Sequence, residues 1–218
     1  ITRNLDTDVY DTSAQFKIIG RLNLTAPTAG DEWKVGVGGN IKWIRQGTIA
    51  NVTLSYSVNG GANYTTITSY PGDAGSTGYP WTIPNVPNIV SANARVMIYD
   101  SQDSSVSNMT PIFSILPTFT ITKPVLNETA IANDQLSIEW QTLGSNTKVN
   151  LYYDKNNFNG TGTLIGGGNL SNSGNYTWSV PDDLSSNVQV RVAYPDNEHA
   201  YADSPIFKIY PGFTVLSP

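Results

Sequence analysis

Apolar and polar side chains alternate with a period of two in several short runs. Over residues 51–57, Val52, Leu54 and Tyr56 fall on one side, Thr53 and Ser55 on the other. Val149, Leu151 and Tyr153 repeat this against Asn150 and Tyr152, and Val188, Val190, Val192 and Tyr194 alternate with Gln189, Arg191 and Ala193. Successive side chains of a strand point to opposite faces, so the first set of each run is predicted to face a core and the second solvent. No stretch sustains a 3.6-residue period with caps, and almost no helix is expected. Asn59-Gly60-Gly61 supplies positive-φ residues for a hairpin between Val58 and Tyr64. Strands are predicted near 22–25, 40–44, 51–58, 64–69, 78–83, 93–99 and 111–116, about seven in the first hundred residues. That spacing predicts an all-β sandwich of immunoglobulin-like type.

The pattern occurs twice. Ile41-Lys42-Trp43 matches Ile138-Glu139-Trp140, and Val52-Thr53-Leu54-Ser55-Tyr56 matches Val149-Asn150-Leu151-Tyr152-Tyr153. Tyr79-Pro80-Trp81-Thr82-Ile83-Pro84 matches Tyr176-Thr177-Trp178-Ser179-Val180-Pro181, all at an offset of 97. Arg95-Val96 then pairs with Arg191-Val192, and Pro111-Ile112-Phe113 with Pro205-Ile206-Phe207. Five matches in one order define a repeat of roughly 95 residues, the size of one such sandwich. The ends continue the register. Phe16-Lys17-Ile18 aligns with Phe113-Ser114-Ile115 and Phe207-Lys208-Ile209, and Asp6 and Val9 fall on Asp103 and Val106. Phe213-Thr214-Val215-Leu216-Ser217-Pro218 repeats Phe119-Thr120-Ile121-Thr122-Lys123-Pro124.

The expected organisation is therefore a last strand of a preceding unit, or a donor strand, over 1–20; sandwiches over 21–117 and 118–211; and a first strand of a following unit, or a tail, over 212–218. The chain starts at Ile1 rather than Met, as a processed chain or a window on a longer array would. The linkers Leu116-Pro117-Thr118 and Tyr210-Pro211-Gly212 span about 10 Å at most. Successive units are expected nearly in contact, as a semi-rigid rod. Trp43, Trp81, Trp140 and Trp178 recur at equivalent strand positions and are predicted to fill the two cores.

Composition narrows the chemistry. With no Cys there is no disulfide, thiolate metal site or Cys nucleophile, and one His cannot build a His-rich zinc site. A net charge of −5 without a Lys/Arg run is unsuited to nucleic acid or an anionic membrane surface. No apolar run approaches the ~18 residues of a membrane-spanning helix. No Ser lies in a G-x-S-x-G elbow, and Asp182-Asp183 reads as a solvated turn rather than an acid/base pair. His199, alone in Asn197-Glu198-His199-Ala200, reads as a loop residue. Asp6, Asp8 and Asp11, or Asp100 and Asp103, carry oxygen ligands suited to Ca²⁺ but lack its loop motif, and turn chemistry explains them equally. No catalytic, metal or cofactor site is assigned, and the chain is read as a non-enzyme.

The positions Pro27, Gly30, Trp33, Ile41, Trp43, Val52, Leu54, Tyr56, Gly60, Tyr79, Trp81, Ile83, Pro84, Arg95, Val96, Val106 and Phe113 form a pattern that resembles a known module. It is similar to the immunoglobulin-like repeat of Ser/Thr-rich GPI-anchored surface proteins and of the yeast cell-wall glucan-assembly family. The resemblance covers nearly all of unit one and most of unit two, which departs from it where Asn127 and Ala130 replace Gly30 and Trp33. It implies an extracellular, wall-associated or fibrous module and supplies no catalytic residues.

Two features bear on function. Eight Asn-x-Ser/Thr sequons occur, at Asn23, Asn51, Asn63, Asn108, Asn127, Asn159, Asn169 and Asn175, where an Asn-rich chain of this length gives roughly four by chance. Asn23, between Leu22 and Leu24, is expected to face outward; Asn63 and Asn159 share a hairpin corner; Asn169 and Asn175 lie in a Gly/Ser/Asn loop. The terminal segments, with Val9, Phe16 and Ile18 at one end and Phe213 and Val215 at the other, carry strand patterns without a sandwich of their own. They are candidates for head-to-tail assembly into a filament, as a covalent tandem array or by strand donation to another copy. The alternative is a carbohydrate-binding or cell-wall accessory module contacting wall glycans. That reading needs a row of outward aromatics, for which only Tyr70, Tyr152 and Tyr201 are scattered candidates.

Overall fold

The computed structural model describes residues 12–213, and residues 1–11 and 214–218, with Val9 and Val215, lie outside the described residues. Unit one comprises β1 (Arg21–Ala26), β2 (Glu32–Lys34), β3 (Gly39–Gln46), β4 (Asn51–Ser57), β5 (Thr65–Pro71), β6 (Tyr79–Trp81), β7 (Ser91–Asp100), β8 (Asp103–Met109) and β9 (Phe113–Leu116). Unit two comprises β10 (Thr118–Lys123), β11 (Thr129–Ile131), β12 (Gln135–Leu143), β13 (Lys148–Asp154), β14 (Thr163–Ser171), β15 (Asn175–Ser179), β16 (Ser185–Tyr194), β17 (Asn197–Asp203) and β18 (Phe207–Tyr210). A 3-10 turn, Gly72–Ser76, is the single helical element among the described residues. In unit one the sheet β1-β3-β6 faces the sheet β2-β9-β7-β4-β5, with β8 also paired to β7. Unit two repeats this as β10-β12-β15 against β11-β18-β16-β13-β14, with β17 on β16. The short strand β2 runs parallel to β9, as β11 does to β18, and the other pairs are antiparallel. The chain is two tandem immunoglobulin-like β-sandwiches.

Alternation selects the faces. Val52, Leu54, Val96 and Ile98 meet Ile41, Trp43, Trp81 and Phe113 in the core of unit one. Val149, Leu151, Val190 and Val192 meet Ile138, Trp140, Trp178 and Phe207 in that of unit two. All four expected core tryptophans are buried. Ser55 and Ala193, expected on the solvent face, are buried too. Both are short residues flanked on neighbouring strands, Ser55 by Met97 and Thr66, Ala193 by Asn150 and Tyr201.

Each unit holds nine strands rather than about seven. The sequence pattern does not reveal β2 and β8 or their counterparts, because three residues show no period and β8 buries only Val106 fully. Ladder register also corrects one repeat match. Strands β7 and β16 are equal in length, which puts Arg95 opposite Gln189 in the repeat, and Arg191 opposite Met97. Hydrogen bonding agrees: Arg95 Nη1 donates to the Thr110 carbonyl at 2.8 Å and Gln189 Nε2 to the Ser204 carbonyl at 2.8 Å. Beside them, the Thr110 and Ser204 hydroxyls accept the Val96 and Val190 amides, each at 2.9 Å. Both are buried acceptors that keep a strand amide paired where β7 and β16 change partner.

The first departure of unit two keeps the backbone conformation and the second repacks the core. Asn127 holds φ 61 where Gly30 holds φ 80, and Asn is among the residues that tolerate this region. Trp33 lies over Gly39, where a Cβ would come within 2.7 Å of its ring. Unit two exchanges the pair, with Ala130 for Trp33 and Leu136 for Gly39, both buried. Large and small residues trade places and the core stays filled.

Candidate functional site

Strand β9 passes into β10 through one residue, Pro117. Leu116, the last residue of β9, is buried and packs with the core of unit two. Its carbonyl accepts the Val35 amide at 3.0 Å, and Thr118 Oγ1 donates to the Val35 carbonyl at 2.7 Å. Around this pivot the facing loops are bonded. Asn85 Oδ1 accepts the Gly144 amide at 2.8 Å, and the Asn88 amide donates to Ser145 Oγ at 3.2 Å. Gly144 is required twice over: its φ is +95, and a Cβ would lie 2.8 Å from Val90 Cγ2. On another side, the Glu32 carboxylate accepts Asn197 Nδ2 at 2.7 Å, and its second oxygen lies 2.7 Å from His199 Nδ1. The two sandwiches are thus docked by backbone, apolar and ionisable contacts. His199, read from the sequence as a loop residue, is part of this junction; no local signal could place it opposite a glutamate 167 positions away.

The Asn197 hydrogen bond, more than any other contact, holds the Glu32 carboxyl below the usual carboxylate range; partial desolvation opposes it and His199 adds to it. A carboxyl so depressed binds fewer protons docked than free. Its contribution is therefore complete above the ordinary carboxylate pKa and fades as pH falls through the lower, docked value. The orientation of one sandwich on the other is expected to hold while Glu32 is ionised and to broaden as pH falls below the ordinary carboxylate range. Residual dipolar couplings collected on both units across that range measure this, and the acid broadening is expected to disappear in Glu32→Gln. Couplings that broaden identically in the variant would assign the change to another group.

The outer ends present the same parts without a partner sandwich among the described residues. Phe16 is 77% exposed and Ile18 86%, whereas their counterparts Phe113 and Phe207, Ile115 and Ile209, are at most 1% exposed. Phe213 is 89% exposed against 6% for Phe119. Residues 12–20, expected as strand, carry no strand, and Gly20 lies against Ile49 of unit one. In that segment Lys17 pairs with Asp103. Asp103 starts β8 as Asn197 starts β17, and Lys17 is the repeat counterpart of Ser114, which lies beside Glu32 in the β2–β9 ladder. The contact Lys17–Asp103 thus engages the same end of β8 that Glu32–Asn197 engages on β17, through a residue at a different repeat position. Lys17 first, then the Ser105 hydroxyl and amide, lower the Asp103 carboxyl to about 2.

Of the sequons, Asn23, Asn51, Asn63, Asn127, Asn159, Asn169 and Asn175 are exposed. Asn108 is not: it is half-buried, its Oδ1 accepts the Leu24 amide at 2.8 Å, and its Thr110 hydroxyl is the buried acceptor described above. Asn169 stands in a bulge. Ile165 pairs with Leu151 and Leu170 with Val149, so residues 166–169 loop out of β14, all at positive φ. Asn175 opens β15 instead of lying in the loop. Asp100 accepts the Gln102 amide and Asp103 the Ser105 groups, as turn residues do, while Asp6, Asp8 and Asp11 lie outside the described residues. No cluster of three or more His, Asp or Glu suited to a metal is found among the described residues. Asp183 pairs with Lys155 and accepts from the Tyr153 hydroxyl at 3.2 Å. Tyr70, an outward candidate, packs on the core edge-on to Trp43. Tyr152 and Tyr201 lie on one outer face of unit two, flanking Arg191. No helix among the described residues is long and apolar enough to cross a membrane.

No protein-family profile matches the chain, and no curated protein matches it. Among solved structures, the chain is similar to fibronectin(III)-like modules of Clostridium thermocellum CbhA, at 19% identity over 87% of this chain and 93% of that one, with a TM-score of 0.30. It is similar to the tandem Ig repeats of Dlar at 12% identity over 89% and 99% of the two chains, with a TM-score of 0.29. It is also similar to extracellular domains 3–5 of Drosophila OTK at 14% identity over 87% and 61%, with a TM-score of 0.38.

Proposed function

We propose that the chain is a non-enzymatic structural or adhesive module of an extracellular, glycosylated fibre whose units join head to tail. The observation that carries this reading is the contrast between Phe16 and Ile18, open to solvent, and their counterparts, buried in both units. Exposing two large apolar residues is unfavourable by roughly 1.5–3 kcal/mol each relative to burial, and here they belong to a pattern that the fold buries twice. The Lys17–Asp103 pair holds this outer segment at the start of β8, and the start of β17, its counterpart, lies at the internal junction. Covalent continuation and strand donation both bury these residues in a neighbouring sandwich. A non-closing contact of this kind extends indefinitely. The exposed sequons support a glycan coat, and the resemblance to wall-associated repeats supports a surface location.

Electron microscopy of the unfixed native material tests the reading. Filaments with an axial repeat of one or two sandwich lengths are the expected result, and Phe16→Asp with Ile18→Asp is expected to abolish them while leaving the circular dichroism of both sandwiches unchanged. Discrete particles in the native material would overturn it.

A further inference from the structure

We propose that unit two carries a binding cleft for a neutral saccharide, beside the domain junction, that unit one lacks. Ladder register builds it on the outer face of the larger sheet. Tyr152 on β13 lies opposite Arg191 on β16, and Arg191 opposite Asp203 on β17; in the adjoining row Asn150, Ala193 and Tyr201 are aligned. Together with the turn after β13 and the β16–β17 turn, these rows bound a cleft of about 280 Å³ lined by Asn150, Tyr152, Thr161, Tyr194, Pro195 and Glu198. That is just below the range of ligand sites, roughly 300 to 1,000 Å³.

A sugar ring offers apolar C–H faces and a rim of hydroxyls that both donate and accept. The cleft answers both. Tyr152 and Pro195 provide flat apolar surface, Tyr194, packed on the core, closes one edge, and Asn150, Thr161, Glu198 and His199 provide mixed donors and acceptors. The groups are preset. Asn150 Oδ1 accepts the Asn169 amide at 2.7 Å, and its Nδ2 donates to the Tyr152 hydroxyl at 3.2 Å. The Arg191 guanidinium is clamped between the Phe158 ring at 4.1 Å and the Tyr201 ring at 3.8 Å, and donates to both Asp203 oxygens at 2.6 and 2.8 Å. Side chains fixed before binding lose little entropy on binding. Charge selects the ligand. Asp203 neutralises Arg191, and Glu198 on the rim opposes anions, so an uncharged ligand is favoured.

The repeat provides an internal control. In unit one, Ser55, Met97, Ser107 and Met109 stand where unit two has Tyr152, Arg191, Tyr201 and Asp203. The same strands form without the aromatic and charged row, so the fold does not require it. The cleft also touches the junction, because His199 lines it and contacts Glu32 of unit one. This inference is independent of filament formation, since it concerns a face of unit two within the described chain.

The test is a two-dimensional amide NMR titration of the full chain made without glycans, since Asn159 lies at the rim through Gly160 and Thr161. Cellohexaose, laminarihexaose and mannohexaose are the neutral probes, and hexagalacturonate is the anionic one. Saturable shifts confined to Tyr152, Arg191, Tyr194 and His199 are expected with at least one neutral probe, and none with the anionic probe. Tyr152→Ser, the residue unit one already carries, is expected to weaken binding about tenfold with the rest of the spectrum retained. Should that variant lose its folded spectrum, Glu198→Ala on the exposed rim is expected to weaken binding about threefold. No saturable shift with any neutral probe, shifts elsewhere on the molecule, preference for the anionic probe, or unchanged affinity in a folded variant would each overturn the proposal.

Discussion

Trp43→Ala is expected to destabilise unit one by about 3–5 kcal/mol, the range for truncating a buried Trp. Trp43 lies mid-strand in β3, is 2% exposed, and meets the edge of Tyr70 at 6.2 Å between ring centroids. Its Nε1 donates to the Gly72 carbonyl at 3.0 Å in the 3-10 turn, which sits on the ring. Gly75 in that turn is so close that a Cβ would lie 2.6 Å from Trp43 Cδ1. Truncation therefore opens a cavity, orphans a buried carbonyl and removes the floor of the turn. In urea, far-ultraviolet circular dichroism is expected to resolve an early transition for unit one and a later one for unit two near its original midpoint. A loss below about 1 kcal/mol would show that the turn collapses onto the gap and that the ring is dispensable.

Gly38→Ala is expected to cost about 3 kcal/mol or more, combining backbone strain with a collision. At φ +73 an L side chain is strained by roughly 1–2 kcal/mol. Beyond that, a Cβ would fall 1.8 Å from the Trp81 carbonyl oxygen. That atom is backbone, so relief requires β6 to move away from β3, with which it pairs from Gly39–Trp81 to Ile41–Tyr79. Gly60 separates the two contributions. It has φ +72 and nothing within 4 Å of a built Cβ, so Gly60→Ala is expected to show the strain alone. Equal midpoint shifts for the two variants, measured by thermal unfolding, would rule out the collision.

The parts that were legible in the sequence are those set by local pattern. Period two identified the core faces around Val52 and Val149, the repeat identified two units, and recurrent tryptophans identified the two cores. The Asn59-Gly60-Gly61 hairpin followed from dihedral preference alone, and Gly60 and Gly61 indeed hold positive φ. What was illegible depends on register between strands distant in sequence. Matching Arg95 to Arg191 by identity hid that Gln189 takes the part of Arg95, because hydrogen bonding to Thr110 and Ser204 fixes the equivalence and side-chain likeness does not. The trade of Trp33 and Gly39 for Ala130 and Leu136 looks like divergence until the two positions are known to touch. Tyr152 and Tyr201 looked scattered because 49 residues separate two rings that share a face with Arg191. Asn108 matches a sequon as well as Asn23 does, and its partial burial, its bond to Leu24 and its buried Thr110 set it apart.

Leu116 belongs by sequence to the last strand of unit one and by packing to the core of unit two. The repeat that is copied along the chain is therefore not the piece that folds. An excised unit two beginning at Thr118 leaves behind part of its own interior, and a fragment that starts one strand earlier carries it. Replacing unit one by another sandwich meets the same constraint, since unit two then takes its closing residue from the replacement. Within this chain the two sandwiches therefore share a boundary layer, and a change at Leu116 acts on both.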